Sequence, residues 1–304
     1  MKAKIKIIAA MLIWGSMGLF VRNINLSSGE IALIRGVTGV SFLLVLCSIL
    51  RLHITSRALV DYKLLLIASG IALSANWIFL FEAYKHTTIA ITTLSYYLAP
   101  IIITVLSRLV LKEKLTVIKV ICIITALVGI AFVSGVYTGS HQDRGNGLGI
   151  IYGVAAAISY ASLTLMNKFI KSLTSIEATI AQLGVASMVL LPYTLLTRNS
   201  TDIILEGQTV ILLITLGIIH TGLAFWLFFS AIKDLKAQTI AVLSYIDPVT
   251  AIALSALLLN ENLGLAQIFG AFLILGSTLT SEILGNCNSI GRKNKIPKIF
   301  KSKL

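Results

Sequence analysis

The chain has 304 residues, of which 57% are hydrophobic and 12% charged, with a mean hydropathy of +0.95. Soluble domains carry about a quarter charged residues, so this composition excludes a water-soluble enzyme and a disordered protein and leaves a polytopic membrane protein. The net charge of +13 does not indicate nucleic acid, because Lys and Arg sit at the ends of apolar runs and in the C-terminal tail, where they act as a topology signal.

Lys2, Lys4 and Lys6 followed by Ile7 to Val21 imitate a secretory signal, but no small-residue cleavage site follows. The segment therefore reads as an uncleaved first span. Apolar runs separated by charge and turn signals place ten spans at residues 5–22, 30–50, 64–84, 88–111, 117–136, 147–167, 177–197, 209–232, 238–259 and 264–284. The expected fold class is an all-α polytopic membrane protein. With ten spans, 20 of the 25 Lys and Arg residues fall on one side, four (Arg22, Lys85, Arg144, Arg198) on the other, and Arg35 inside a span. That asymmetry predicts a multi-pass protein of the cell (inner or plasma) membrane with both termini cytoplasmic. The six basic residues from Arg292 onward predict a tail, residues 285–304, resting on anionic headgroups.

The chain repeats itself at an offset of 148 residues. Phe81-Glu82-Ala83-Tyr84-Lys85 matches Phe229-Ser230-Ala231-Ile232-Lys233, and Tyr97, Pro100, Glu113 and Leu115 match Tyr245, Pro248, Glu261 and Leu263. With a one-residue slip, Ser28, Glu30 and Arg35 match Ser175, Glu177 and Gln182. Proline and glutamate are scarce here, so their joint match argues against a chance alignment of apolar sequence. Five spans per half is an odd number, so the second half enters from the opposite side. Secondary transporters build alternating access from such inverted repeats, around a site at the midplane.

Both halves carry an aromatic-x-Ala element, a helix-interior proline and a Leu-x-Glu-x-Leu ending. These are Phe81-Glu82-Ala83, Pro100 and Leu111-Lys112-Glu113-Lys114-Leu115, then Phe229-Ser230-Ala231, Pro248 and Leu259-Asn260-Glu261-Asn262-Leu263. Together with Ile13-Trp14-Gly15-Ser16 and Arg35, this doubled set resembles the EamA-type members of the drug/metabolite transporter superfamily. The resemblance implies one five-helix repeat at 5–136 and a second at 147–284, a basket-like fold with a central cavity, and export of small metabolites. Its members carry amino acids, amines, organic acids, nucleotide-derived compounds or drugs. Asn262 replaces the basic residue that usually follows the glutamate, which argues against a charge pair for Glu261.

Ionisable groups inside spans are functional candidates. Asp247 is the foremost, directly before Pro248, whose ring removes a backbone hydrogen bond and frees a carbonyl. Its alternative role is to support the kink by bonding a neighbouring Tyr or Ser. Glu82 and Arg35 share one leaflet and are candidates for a pair that gates the outer mouth or recognises a zwitterion, the alternatives being a fixed ion pair tying two helices or snorkelling to the interface. Glu30 and Glu177 suit helix N-termini. His220 is a candidate proton relay or a satisfied bundle histidine. Asn76 is a candidate for interhelical bonding. Tyr97 and Tyr245 lie too deep for an interface belt and are expected to wall a substrate, with Trp14 as a further aromatic candidate. Pro100 and Pro248 are the expected helix breaks. The pairs Gly36/Gly39 and Gly149/Gly153 permit close helix approach.

Cys47, Cys122 and Cys287 have no metal-ligand spacing, and His53, His86, His141 and His220 are dispersed. No catalytic residue, metal or cofactor is expected, and no nucleotide-binding motif suggests direct ATP drive. The expected partners are a small-molecule substrate and the lipid bilayer, with a homodimer left open. The reading is a secondary exporter with proton antiport as its candidate energy source. The rivals are a lipid-carrier flippase, an accessory subunit and, last, a lipid-modifying membrane enzyme.

Overall fold

The computed structural model describes residues 2–51, 56–111, 116–133, 143–197, 207–232, 234–235, 237–261 and 263–293. Glu113 with its flanking residues 112–115, Asn262, His53, His141, residues 137–142 between the halves, Arg198 and the tail beyond Lys293 lie outside them. Among the described residues there are helices and no strands.

The helices follow the apolar runs. In chain order they are α1 (Lys2–Arg22), α2 (Ser28–Ile49), α3 (Ser56–Asp61), α4 (Lys63–His86), α5 (Ile89–Tyr96), α6 (Ala99–Val110), α7 (Val117–Val133), α8 (Asp143–Asn167) and α9 (Ser175–Thr197). Then come α10 (Gly207–Thr215), a π-helical segment (Leu216–Leu223), α11 (Ala224–Ile232), α12 (Ala237–Ser244), α13 (Ile246–Leu259) and α14 (Leu265–Lys293). Eight helical segments are long and apolar enough to cross a membrane, and Val117–Val133 and Leu265–Ser281 are shorter apolar helices.

Two of the starts are written locally. Ser27 accepts from the Glu30 N–H at 3.2 Å while Glu30 accepts from the Ser27 N–H at 2.9 Å. Thr174 and Glu177 repeat the arrangement at 3.3 and 2.7 Å. These reciprocal caps satisfy backbone donors that would otherwise face hydrocarbon, and they account for both glutamates structurally. Within the helices, Ser and Thr hydroxyls fold back onto carbonyls three or four residues earlier, as at Ser74, Ser95 and Thr104.

Packing is organised by α4, which lies against α8 and α9, while α2 packs on α9 and the π-helical segment, and α7 on α14. The largest core cluster joins Trp77, Leu80 and Phe81 of α4 to Ile31 and Leu43 of α2 and Leu183 and Leu190 of α9. A second cluster gathers Ile91, Leu94, Cys122, Ala126 and Ile274. Close approach depends on small residues. A Cβ on Gly36 would stand 2.6 Å from Ser187 Oγ, and one on Gly39 2.6 Å from Thr221 Cγ2.

The outer surface is as apolar as the core. Leu265, Leu196 and Leu257 are 87%, 86% and 76% exposed. In water such a surface would aggregate; in a bilayer it is the lipid contact.

Candidate functional site

Two crossings are interrupted in the same way. The run Ile89–Val110 breaks between α5 and α6 at Tyr97 and Leu98, and the run Ala237–Leu259 breaks between α12 and α13 at Tyr245. Pro100 and Pro248 follow each break and lack the N–H that would close the turn. Pro248 thereby frees the carbonyl of Ser244. The Tyr97 hydroxyl, from the other broken crossing, lies 3.2 Å from that carbonyl oxygen and 3.1 Å from Asp247 Oδ2, sharing its proton between them. Tyr97 and Tyr245 face each other with ring centroids 6.1 Å apart, and the Tyr245 hydroxyl donates to Thr278 Oγ1 at 2.7 Å.

Asp247 sits in the first turn of α13, where the helix dipole favours its charge. Asp247 is half-buried, as are Tyr96, Tyr97 and Tyr245. Tyr96 lines up with Tyr97 and Tyr160 at centroid distances of 6.4 and 5.8 Å. The first helix approaches the same turn. A Cβ on Gly15 would stand 2.6 Å from the Asp247 carbonyl oxygen.

The second feature was not legible in the sequence. Residues Leu216–Leu223 form a π-helix, a wider turn that recurs at functional sites. It aims two consecutive residues at different neighbours. His220, 2% exposed, has Nε2 3.0 Å from Ser16 Oγ and stacks edgewise on Phe20 at 4.6 Å. Thr221 accepts from Arg35 Nε at 2.7 Å and donates to the Leu216 carbonyl five residues back at 3.0 Å. Trp14 donates from Nε1 to the His220 carbonyl at 3.0 Å and packs on Phe225 and Phe228.

Arg35 is 2% exposed. Its guanidinium carbon stands 4.5 Å from the Trp77 ring and 5.7 Å from the Phe81 ring, and its remaining polar contact is Met17 Sδ at 3.1 Å. The expected Arg35–Glu82 pair does not form. Trp77 and Phe81 share one face of α4 at an i, i+4 spacing, and Glu82 is rotated about 100° away from it. Glu82 instead lies 3.6 Å from His86 Nε2 and 4.0 Å from Lys85 Nζ. Among the described residues no carboxylate comes within 4 Å of Arg35. Tyr84 and Tyr96 lie within electrostatic range of both Arg35 and Asp247, so cation and carboxylate border one region.

Asn76 donates to the Ala156 carbonyl at 2.8 Å, joining α4 to α8. Glu261 departs from the expectation that it lacks a charge partner. It pairs with Arg22, supplied by α1 rather than by its own sequence neighbour. Cys47 and Cys122 are free and buried, and no metal-binding group of three or more His, Cys, Asp or Glu occurs among the described residues.

A membrane chain whose described residues form only helices, with two broken crossings, a half-buried carboxylate between them and no metal-ligand cluster, has the features of a transporter. The EamA-like transporter family model matches residues 1–135 and 147–281, and the chain belongs to that family. It is 32% identical over 282 residues to the uncharacterized transporter YxxF of Bacillus subtilis (strain 168), covering 88% of this chain and 87% of that one. An uncharacterized transporter of Archaeoglobus fulgidus is 26% identical over 276 residues, covering 90% and 93%. A solved crystal structure shares the fold with a TM-score of 0.65 at 19% identity, over 94% of this chain and 98% of the other. The protein is thus a multi-pass membrane transporter for small molecules rather than an enzyme.

Proposed function

We propose that this transporter is a secondary exporter of small metabolites such as amino acids or amines, working by alternating access. The reading takes 5–136 and 147–284 as two five-helix repeats of inverted topology in the cell membrane, with both termini cytoplasmic. Its principal support is the contact of the Tyr97 hydroxyl with Asp247 Oδ2 and the Ser244 carbonyl, where the two broken crossings meet. Broken helices present backbone carbonyls and side chains to a solute without exposing them to lipid.

Asp247 is the anchor for a cationic group, and Tyr97 and Tyr245 are the walls, able to hold an ammonium through their ring faces. Arg35 supports the amino-acid arm of the reading over simple amines. A buried guanidinium with only neutral partners carries an uncompensated desolvation penalty, which the carboxylate of a zwitterion would relieve. Proton antiport is the proposed energy source, with Asp247 and His220 as the titratable groups within the spans.

The test is efflux and uptake in proteoliposomes against a metabolite panel, with and without a pH gradient. Transport should depend on the gradient, and Asp247→Asn should weaken it while membrane abundance stays constant. Kinetics identical to the parent in Asp247→Asn would remove the anchor. Transport indifferent to the gradient would remove proton coupling.

A further inference from the structure

Glu261 holds three helix ends together at one face of the molecule. α13 stops at Asn260, whose φ of 53° places it in the left-handed region that Asn tolerates and that ends helices. That turn brings Glu261 back toward the bundle. Its side chain is 8% exposed, with Oε1 paired to Arg22 at the end of α1 and Oε2 accepting the Ile89 N–H, the first of α5, at 2.9 Å. One carboxylate thus joins the ends of α1 and α13 to the start of α5. The Ile89 side chain is seated against Gly18 of α1, where a Cβ would meet Ile89 Cγ2 at 2.8 Å. Beside this junction the Lys85 ammonium donates to the Leu26 carbonyl at 2.7 Å.

A cavity of about 360 Å³ lies beside this junction, its lining including Val21, Arg22, Ile24, Asn25, Tyr84 and Lys85. Tyr84 is shared between this cavity and the region of Arg35 and Asp247. Arg22, the partner of Glu261, lines this cavity, so the junction adjoins it, and we take the cavity as a vestibule leading toward the site.

We propose that Glu261 is the keystone of a latch that holds this mouth closed, and that the mouth opens only when Glu261 releases both Arg22 and the α5 N-terminus. The chemistry suits a latch. The pair with Arg22 is partly solvated, since Arg22 is 39% exposed, so water compensates much of its rupture. The Ile89 N–H is a helix-end donor that water can satisfy once the mouth opens. The closed state is favoured by contacts that exist only there, and the open state leaves no group without a partner.

The experiment uses the full chain in lipid nanodiscs, with Cys47, Cys122 and Cys287 replaced by Ser and Ile24→Cys as reporter. Ile24 lines the vestibule and is 3% exposed. The labelling rate with a charged maleimide reports mouth opening and requires no solute, so the result is independent of which substrate is carried, or whether any is. Glu261→Gln should raise the rate roughly fivefold and Arg22→Gln about threefold. The two changes combined should raise it no more than Glu261→Gln alone, because they break one contact. Arg22 is exposed, so its variant carries the test even where Glu261→Gln assembles poorly. A rate equal to the reporter parent in Arg22→Gln, or additive effects in the double variant, would overturn the latch. Transport could persist in that case, leaving the broader functional reading intact.

Discussion

At the scale of single residues, the chemistry rests on groups whose partners come from distant helices. Thr221 shows the energetic side. It accepts from a buried guanidinium, and a hydrogen bond to a charged group contributes about 1.5–3 kcal/mol. Thr221→Val preserves shape and removes that acceptor, so it is expected to lower stability by roughly that amount, measured by thermal unfolding in detergent. Asp247 shows the functional side, since its removal is expected to act on transport rather than abundance. The sequence made Asp247, Tyr97 and Tyr245 visible because a proline beside a carboxylate is conspicuous in an apolar run. Arg35 was visible as a charge, but its neighbours were not. Choosing Trp77 over Glu82 depends on which face of α4 turns inward, and that is set by packing on α8 and α9. Glu261 was misread for a related reason. Its neighbour Asn262 suggested no partner, whereas Arg22 lies 239 residues away in sequence.

At the scale of elements, the breaks and the π-helical segment decide where side chains point. The breaks at Tyr97 and Tyr245 were foreshadowed by Pro100 and Pro248. The π-helix has no comparable signature: Leu216–Leu223 contains no proline and reads as an ordinary apolar helix. Its extra residue per turn sends His220 toward Ser16 and Thr221 toward Arg35. Deleting Ile218 should restore α-helical spacing and take His220 and Thr221 off the directions that the wider turn gives them. That deletion is expected to abolish transport while leaving helicity by circular dichroism almost unchanged. Unimpaired transport would show that the segment's register is immaterial. Helix contacts offer a paired test. Gly15→Ala forces a methyl against the Asp247 carbonyl and Thr250 and should cost about 1–3 kcal/mol. Gly147, with no heavy atom within 4 Å of a built Cβ, should accept alanine with no loss of stability. A loss at Gly15 as small as that at Gly147 would mean that the α1–α13 approach has room for a methyl group.

At the scale of the whole molecule, composition alone indicated a membrane solvent, and the apolar exterior agrees with it. The distribution of Lys and Arg adds an orientation. Asn25→Cys is expected to react with an impermeant maleimide on intact cells, and Lys171→Cys only after permeabilisation. The reverse pattern would invert the transporter and, with it, the face on which Glu261 closes the vestibule. What could not be read at this scale was the arrangement of helices relative to one another. Hydropathy marks where a helix crosses and is silent about which helix it meets.

That arrangement has a bearing on biosynthesis. α1 leaves the ribosome well before α11 and α13, yet it packs chiefly on them. It must therefore wait in the bilayer until some 240 further residues have been made. Its Gly15 surface stays exposed to lipid and to quality-control proteases throughout that interval. Assembly of this transporter is a closing of α1 onto helices made much later, and a nascent chain arrested before α11 would leave α1 without its main partners.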